Sequence, residues 1–302
     1  MSATALLAGY GADLAFGDPR RLHPVAGFGR TAAAAERAAY SPSRLRGALV
    51  TGALIAVAVS AGELAARRGP RWAVTAALTW AALGGRSLRR EARAVARLAA
   101  APDLEPARER LRSLCGRDAS TLEASELARA AVESLAENTS DAVVGALLWG
   151  AFVGPSGVVA YRAANTLDAM FGHRSERYRE FGWAAARLDD AMNWPAARLC
   201  ALLTAAAAPF VGGSPRTALT VAWRDGSAHP SPNAGVAEAA FAGTLGLRLG
   251  GPLVYGGQAE RRPYLGHGSP PALADVDRAA RLSLVVSTLA ALCCAGLAEV
   301  RR

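Results

Sequence analysis

Residues 282–298 read LSLVVSTLAALCCAGLA, seventeen positions without a charge. At a rise of about 1.5 Å per residue such a helix covers about 25 Å, close to the ~30 Å hydrocarbon core of a bilayer. Four more uncharged stretches lie upstream, at residues 48–62, 72–85, 142–161 and 199–215. A protein in water can bury one or two apolar runs of this kind. Five are hard to bury, so the chain reads as a polytopic membrane protein. Its mean hydropathy of only +0.16 does not conflict with this, because the arginine-heavy stretches between the runs lower the average. Residues 1–12 are apolar but lack the basic start and small-residue cleavage pattern of a secretory signal, and Asp13 follows directly, so this segment reads as retained. With no long alternating strand pattern and no Ser/Gly linker, residues 1–302 are expected to form one all-α integral-membrane domain with about five apolar segments.

The charge balance narrows the chemistry. The 302 residues carry 34 Lys+Arg against 25 Asp+Glu, a net charge of +9, and every one of the 34 bases is arginine. A chain without lysine has no P-loop lysine, no Schiff-base lysine and no lysine general base. Nucleic-acid binding calls for a basic stripe interleaved with aromatics, whereas here the arginines alternate with acids through stretches such as residues 108–137. No nucleic-acid partner is expected. Cys115, Cys200, Cys293 and Cys294 have no paired metal-ligand spacing, which points to a reducing interior without a disulfide or zinc framework.

The run at residues 142–161 is interrupted by Gly154, Pro155, Ser156 and Gly157, a turn cluster that a straight span does not need. It fits either a re-entrant hairpin, whose irregular backbone must be buried or line a polar cavity, or an ordinary kinked helix.

Polar residues gather in blocks beside these runs. Ser120 and Glu123 have capping-box spacing, which predicts a helix running toward Asn138. Along it Glu126, Glu133 and Glu137 share one face, and Asp141 extends the stripe if the helix continues. Stacked carboxylates make a hard-oxygen site suited to magnesium; for Glu126 a solvated helix face explains as much. A second block holds Asn165 and Asp168, then Arg187, Asp189, Asp190 and Asn193, with Asp189 and Asn193 four apart on one face. Adjacent carboxylates near membrane segments are costly unless paired with arginine, here Arg187 and Arg198, or with a metal. A third block runs from His229 through Ser231, Pro232 and Asn233 to Glu238. Ser231 followed by Pro232 predicts an N-cap, whose exposed amides can hold a phosphate or carboxylate. Glu238, one turn into an apolar helix, is not explained by capping. Upstream, Gly17-Asp18-Pro19 and His23-Pro24 are turn chemistry, and Arg30 and Arg86 are candidate anion contacts. Taken alone, the aspartates also fit a magnesium-dependent membrane prenyltransferase.

In order along the chain, these blocks resemble the adenosylcobinamide-phosphate synthase family of cobalamin biosynthesis, the CobD/CbiB type. The resemblance rests on Asp13 with Gly17-Asp18-Pro19 and His23-Pro24-Val25, on Gly85-Arg86-Ser87-Leu88, on Gly116-Arg117-Asp118 and on Glu137-Asn138-Thr139 with Asp141. It continues through Asn165-Thr166-Leu167-Asp168, Ala186-Arg187-Leu188-Asp189-Asp190, Ser231-Pro232-Asn233 and Leu249-Gly250-Gly251 with Tyr255. The chain departs from the family pattern at Gly145-Ala146, where a proline is usual, and at Pro195, one position nearer Asn193.

The resemblance implies a multi-pass enzyme of the bacterial cell membrane that joins adenosylcobyric acid, a corrinoid, to (R)-1-aminopropan-2-ol phosphate. ATP would be the cosubstrate and Mg2+ the metal, with other cobalamin-pathway enzymes as partners. Such a ligase must hold anionic substrates together, and magnesium carboxylates and arginine forks are the parts it needs. On this expectation Asp141, Asp168, Asp189 and Asp190 are the metal candidates. Arg86, Arg187, Arg198, Asn165, Ser231 and Asn233 face phosphate or substrate, and His229, Glu238 and Glu137 are the candidates for proton transfer. A non-enzymatic corrinoid-binding or scaffold subunit is the alternative within the same pathway.

Overall fold

The computed structural model describes residues 3–19, 23–173, 175–255 and 258–301. The chain opens with α1 (Ala3–Phe16), α2 (Pro24–Ala39), α3 (Arg44–Arg68) and α4 (Arg71–Ala82). Then come α5 (Gly85–Leu98), α6 (Glu105–Leu111) and α7 (Ala124–Asn138), which passes through a π-helical segment, Thr139–Val144, into α8 (Gly145–Val153). After α9 (Pro155–Phe171) and the single turn α10 (Tyr178–Phe181) comes α11 (Trp183–Ala207), extended as a 3-10 turn to Val211. The chain closes with α12 (Pro215–Asp225), α13 (Ala234–Leu245), β1 (Leu249–Tyr255), β2 (Gln258–Leu265) and α14 (Leu273–Val300).

This is an all-helical membrane-protein fold. Three helical segments are long and apolar enough to cross a bilayer: Arg44–Arg68, Trp183–Val211 and Leu273–Val300. They contain two of the five apolar runs whole and most of a third, residues 199–215. The other two fall outside these segments, and the reason is local in each case. Residues 72–85 supply α4, whose twelve residues cover only about 18 Å before Leu83 turns extended. Residues 142–161 are cut at Gly154, which adopts φ 81° between α8 and α9, a region open to glycine and strained for other residues. The two helices then pack antiparallel. A Cβ at Gly157 would overlap the Trp149 carbonyl, and one at Gly145 would overlap the Tyr161 hydroxyl. The turn cluster therefore makes a helical hairpin and not a kinked helix.

The chain divides into two compact units. The first comprises residues 1–84, 141–195 and 290–302, and the second comprises 85–140 and 196–289. Each unit is built from separate pieces of chain. In the first, α3 and α9 pack closely, and Leu54, Leu167, Phe171 and Phe181 form an apolar cluster with Phe28 and Tyr40 against it. In the second, α7 packs against α5 and α13, and α12 lies along α13.

The second unit also contains an antiparallel strand pair, β1 with β2, which the sequence pattern did not predict. Gly250 and Gly251 both have positive φ, and the register shifts between Gly250 and Pro252, so this bulge breaks the alternation that would have identified a strand.

Candidate functional site

The first unit gathers the second polar block around Asp189. This carboxylate is buried on α11, and each of its oxygens accepts a hydrogen bond from a neutral amide: Asn193 Nδ2 at 2.9 Å and Asn165 Nδ2 at 3.3 Å. The four-residue spacing of Asp189 and Asn193 on one helix face is realised directly. Asn193 Oδ1 lies 2.5 Å from the Tyr161 hydroxyl, which is also 2.7 Å from the Asp141 carbonyl oxygen. Gly145 is what admits that hydroxyl; the departure from the family's proline falls at the position where a side chain would displace Tyr161. Asp168 and Asp190 act on Asp189 electrostatically.

The arginine in this cluster is one that motif reading passed over. Arg162 donates to Asn165 Oδ1 at 3.2 Å and sits in the field of Asp18, Asp141 and Asp189. It is the first charge after the uncharged run 142–161, and that position was its only signal in the sequence. The pairing expected of Arg187 and Arg198 is only half realised. Arg187 reaches Asp190 at 3.3 Å on an exposed helix face. Arg198, in the second unit, instead donates to the Pro232 carbonyl at 3.1 Å and to Asn233 Oδ1 at 3.0 Å. Near the start of the chain, His23 caps α2 by accepting from the Val25 amide, and burial pushes its imidazole down against the raising influence of Asp18.

Asp141 does not extend the glutamate stripe as expected. Thr139–Val144 winds as a π-helix, and its wider turn ends the four-residue spacing just before the carboxylate. The capping box is also displaced: Glu123, not Ser120, is the N-cap of α7, with Glu126 returning to the Glu123 amide at 3.0 Å. This gives Glu126 a structural role.

In the second unit Glu133 is buried and held by Arg117 at 2.5 Å and by the Gly250 amide at 2.7 Å. Arg129 donates to the Gly250 carbonyl at 2.7 Å, so the Leu249-Gly250-Gly251 motif ties the strand pair to α7. Glu238 is 2% exposed on α13. Burial pushes its carboxyl well above the usual range, and the charges of Glu133 and Glu137 push the same way, while Arg262 and Arg117 oppose them. His229 is buried, with Nε2 3.3 Å from Arg262 Nη1. On the other side of the ring, Nδ1 accepts from the Ser231 amide at 3.1 Å.

Helix α13 starts at Ala234 with Asn233 in the cap position, two residues beyond the predicted Ser231 cap. Ser231 Oγ nevertheless accepts from the Asn233 and Ala234 amides at 3.3 and 3.2 Å. Arg86 is exposed on the first turn of α5. Among the described residues no three His, Cys, Asp or Glu side chains converge into a preformed metal cage.

A buried carboxylate held by neutral amides in the first unit and a buried acid-arginine network in the second belong to a chain with three helical segments long and apolar enough to cross a membrane. The family model for the CobD/Cbib protein matches residues 6–283, and the chain belongs to this family of cobalamin-biosynthesis proteins. It is 51% identical over 303 residues to the cobalamin biosynthesis protein CobD of Mycobacterium tuberculosis, covering 99% of this chain and 97% of that protein. The protein of the same name from Chromobacterium violaceum is 43% identical over 281 residues, covering 89% and 88%. That from Rhodobacter capsulatus is 39% identical over 311 residues, covering 96% and 98%. No solved structure matches the chain.

Proposed function

We propose that the chain is an adenosylcobinamide-phosphate synthase, forming an amide between adenosylcobyric acid and (R)-1-aminopropan-2-ol phosphate at the expense of ATP. The observation that carries this reading is Asp189, a buried carboxylate whose hydrogen bonds come from neutral amides, with Asp168 and Asp190 beside it. No described ion pair neutralises it. A carboxylate that no described ion pair meets suits a divalent cation that arrives with a phosphate-bearing substrate.

The donor set fits Mg2+, which prefers hard oxygens and is commonly bound through one or two carboxylates plus substrate phosphates, not an all-protein cage. Asp189 with Asp141, Asp168 and Asp190 would hold it, and when bound it would neutralise phosphate charge. Arg162 and Asn165, with Arg187, are suited to orient the phosphate groups, since the guanidinium fork matches phosphate oxygens.

A carboxylate does not react with an amine near neutral pH until one of its oxygens can leave. Phosphorylation by ATP makes an acyl phosphate; the amine nitrogen attacks its carbonyl carbon, phosphate departs, and the nitrogen sheds a proton. Of the two candidates in the second unit, taken by itself, Glu238 is better suited to accept a proton than His229. Burial raises the proton affinity of its carboxyl, whereas Nε2 of His229 faces Arg262. Glu137 acts on Glu238 electrostatically, and Arg198, Ser231, Asn233 and the exposed Arg86 are assigned to substrate contact.

The test is product formation by purified, detergent-solubilised protein given labelled aminopropanol phosphate, adenosylcobyric acid, ATP and Mg2+. Labelled adenosylcobinamide phosphate is the expected result. Corrinoid binding without turnover would instead mark a binding or scaffold subunit, and transfer of a prenyl group from a prenyl diphosphate would mark the prenyltransferase alternative.

A further inference from the structure

Within the first unit a cavity of about 270 Å³ lies between α2, α3, α4 and α9. Its walls are apolar, with Val25 and Phe28 from α2, Leu78 from α4 and Val158 from α9. Arg162, which lines it from α9, is the one charged side chain among the described residues of the wall.

A guanidinium has five N–H donors and does not shed its charge. Of the three nitrogens of Arg162 only Nη1 has an acceptor among the described residues, Asn165 Oδ1 at 3.2 Å, and through Asn165 it is linked to Asp189. Nε is buried without a hydrogen-bond partner. Opposite charge is not what the group lacks, since Asp18, Asp141 and Asp189 act on it electrostatically. It lacks acceptors, and a buried donor left unmet is costly.

Water answers this poorly. A buried water typically makes about three hydrogen bonds. The other polar side chain in the wall, Thr166, already donates its hydroxyl to the Arg162 carbonyl at 2.7 Å. The occupant that fits is an apolar body with an uncharged acceptor at one end.

The mouth of the cavity points to the source of such a molecule. Ala61 is an exposed part of the wall, on α3, a helix long and apolar enough to cross a bilayer. Val57 and Leu64, four residues before it and three after, are also exposed and share its helix face, so the cavity opens toward the hydrocarbon that this face meets. Ala61 stands about 3 Å along the helix from Glu63, the charge that ends the uncharged run 48–62. Glu63 pairs with Arg71 at 3.4 Å, and the adjacent Trp72 is exposed, as aromatics at the membrane interface commonly are. The mouth is therefore at the edge of the hydrocarbon layer, the depth of phospholipid ester carbonyls. At about 270 Å³ the cavity is smaller than the ~300–1,000 Å³ of most small-molecule sites, so it admits a length of one acyl chain and not a macrocycle.

We propose that this cavity holds one acyl chain of a bilayer phospholipid, whose ester carbonyl oxygen accepts a hydrogen bond from Arg162. The experiment is native mass spectrometry of the delipidated full-length protein in detergent, titrated with dioleoyl phosphatidylcholine and, separately, with dioleoyl phosphatidylglycerol. One saturable lipid is expected from each, with similar affinity, because both carry the same ester. Binding should weaken at least ~10-fold in Arg162→Gln, the scale of one hydrogen bond to a charged group. Ala61→Phe, at an exposed position, should close the mouth and abolish binding, whereas Ala56→Phe, exposed on α3 outside the cavity wall, should leave it unchanged. If Arg162→Gln fails to fold, Ala61→Phe decides the matter. Binding of phosphatidylglycerol alone would overturn the ester contact in favour of an anion site. Displacement of the lipid by adenosylcobyric acid or aminopropanol phosphate would overturn the lipid assignment and make the cavity part of the substrate site. Equal binding by Ala61→Phe and wild type, or no saturable binding of either lipid, would overturn the site.

Discussion

Asp189 in the first unit and Glu133 in the second are both buried carboxylates, and they are held by different means. Glu133 has a guanidinium at 2.5 Å and a backbone amide at 2.7 Å, so its charge is met within the protein. Asp189 has two side-chain amides, which satisfy its lone pairs but leave its charge. Removing ions from water costs several kcal/mol each unless their charge is compensated. A site that keeps negative charge uncompensated is therefore less stable than it could be, and such strain is expected where a ligand completes the site. The difference is the ground for reading Glu133 as half of a structural pair and for proposing Asp189 as a functional carboxylate.

The largest effect should come from breaking the structural pair. Arg117→Ala leaves Glu133 buried without its main counter-charge, and a loss of about 3–5 kcal/mol is expected, read as a steep fall in the detergent melting temperature. A melting curve like that of wild type would show that Arg129, 3.9 Å from Glu133, compensates instead.

Asp189→Asn should behave in the opposite way. Removing a carboxylate that no described ion pair meets should preserve or raise stability, while amide formation falls on the order of 100-fold, as when one preorganised electrostatic contact is lost. The variant should also need more Mg2+ for half-maximal rate. If it instead unfolds and shows no change in magnesium requirement, Asp189 belongs with Glu133 as a structural group. Asp190, already 3.3 Å from Arg187 on an exposed face, gives a less decisive contrast.

A smaller effect is expected at the hairpin. Gly145→Ala places a methyl group where the Tyr161 hydroxyl lies, displacing it from Asn193. Overpacking of this kind costs about 1–3 kcal/mol. A crystal or cryo-EM structure of the variant with the Tyr161–Asn193 contact intact would count against the role given to this glycine.

The last expected effect is a slope with pH. Glu238 is raised above its ordinary value of 4.5, so the native state binds its proton more tightly than the unfolded chain does. The stability it contributes is fully present below the unfolded value and is lost as pH rises through the raised one. Glu238→Gln removes this titration, so the variant should gain on wild type as pH rises. Parallel stability-pH curves for the two proteins would refute the assignment.

Much of the site was legible because it depends on local spacing. Asp189 and Asn193 bond as their four-residue interval predicts, and Asn165 and Asp168 lie in the same cluster. Ser231 was correctly read as a partner for helix-start amides but not as the cap itself, because Pro232 suits the first helical position and drew the boundary two residues too early. Arg162 was missed because arginine is spread through the whole chain and one more carries little information. The strand pair was missed because Gly250, Gly251 and Pro252 interrupt its alternation, although Gly256-Gly257 between β1 and β2 is a hairpin signal.

By itself the sequence determined the helical membrane character, through the cost of hydrating long uncharged runs, and the break at Gly154, through a backbone angle that glycine adopts without strain. It also determined which polar residues share a helix face. Only the tertiary structure decided which apolar runs form long continuous helices and which buried acids meet an arginine. The contacts that settle the second question join residues far apart in the chain, as Glu133 meets Gly250 and Asn165 meets Asp189. Local periodicity encodes which face a side chain occupies; it does not encode which distant donor that face will meet.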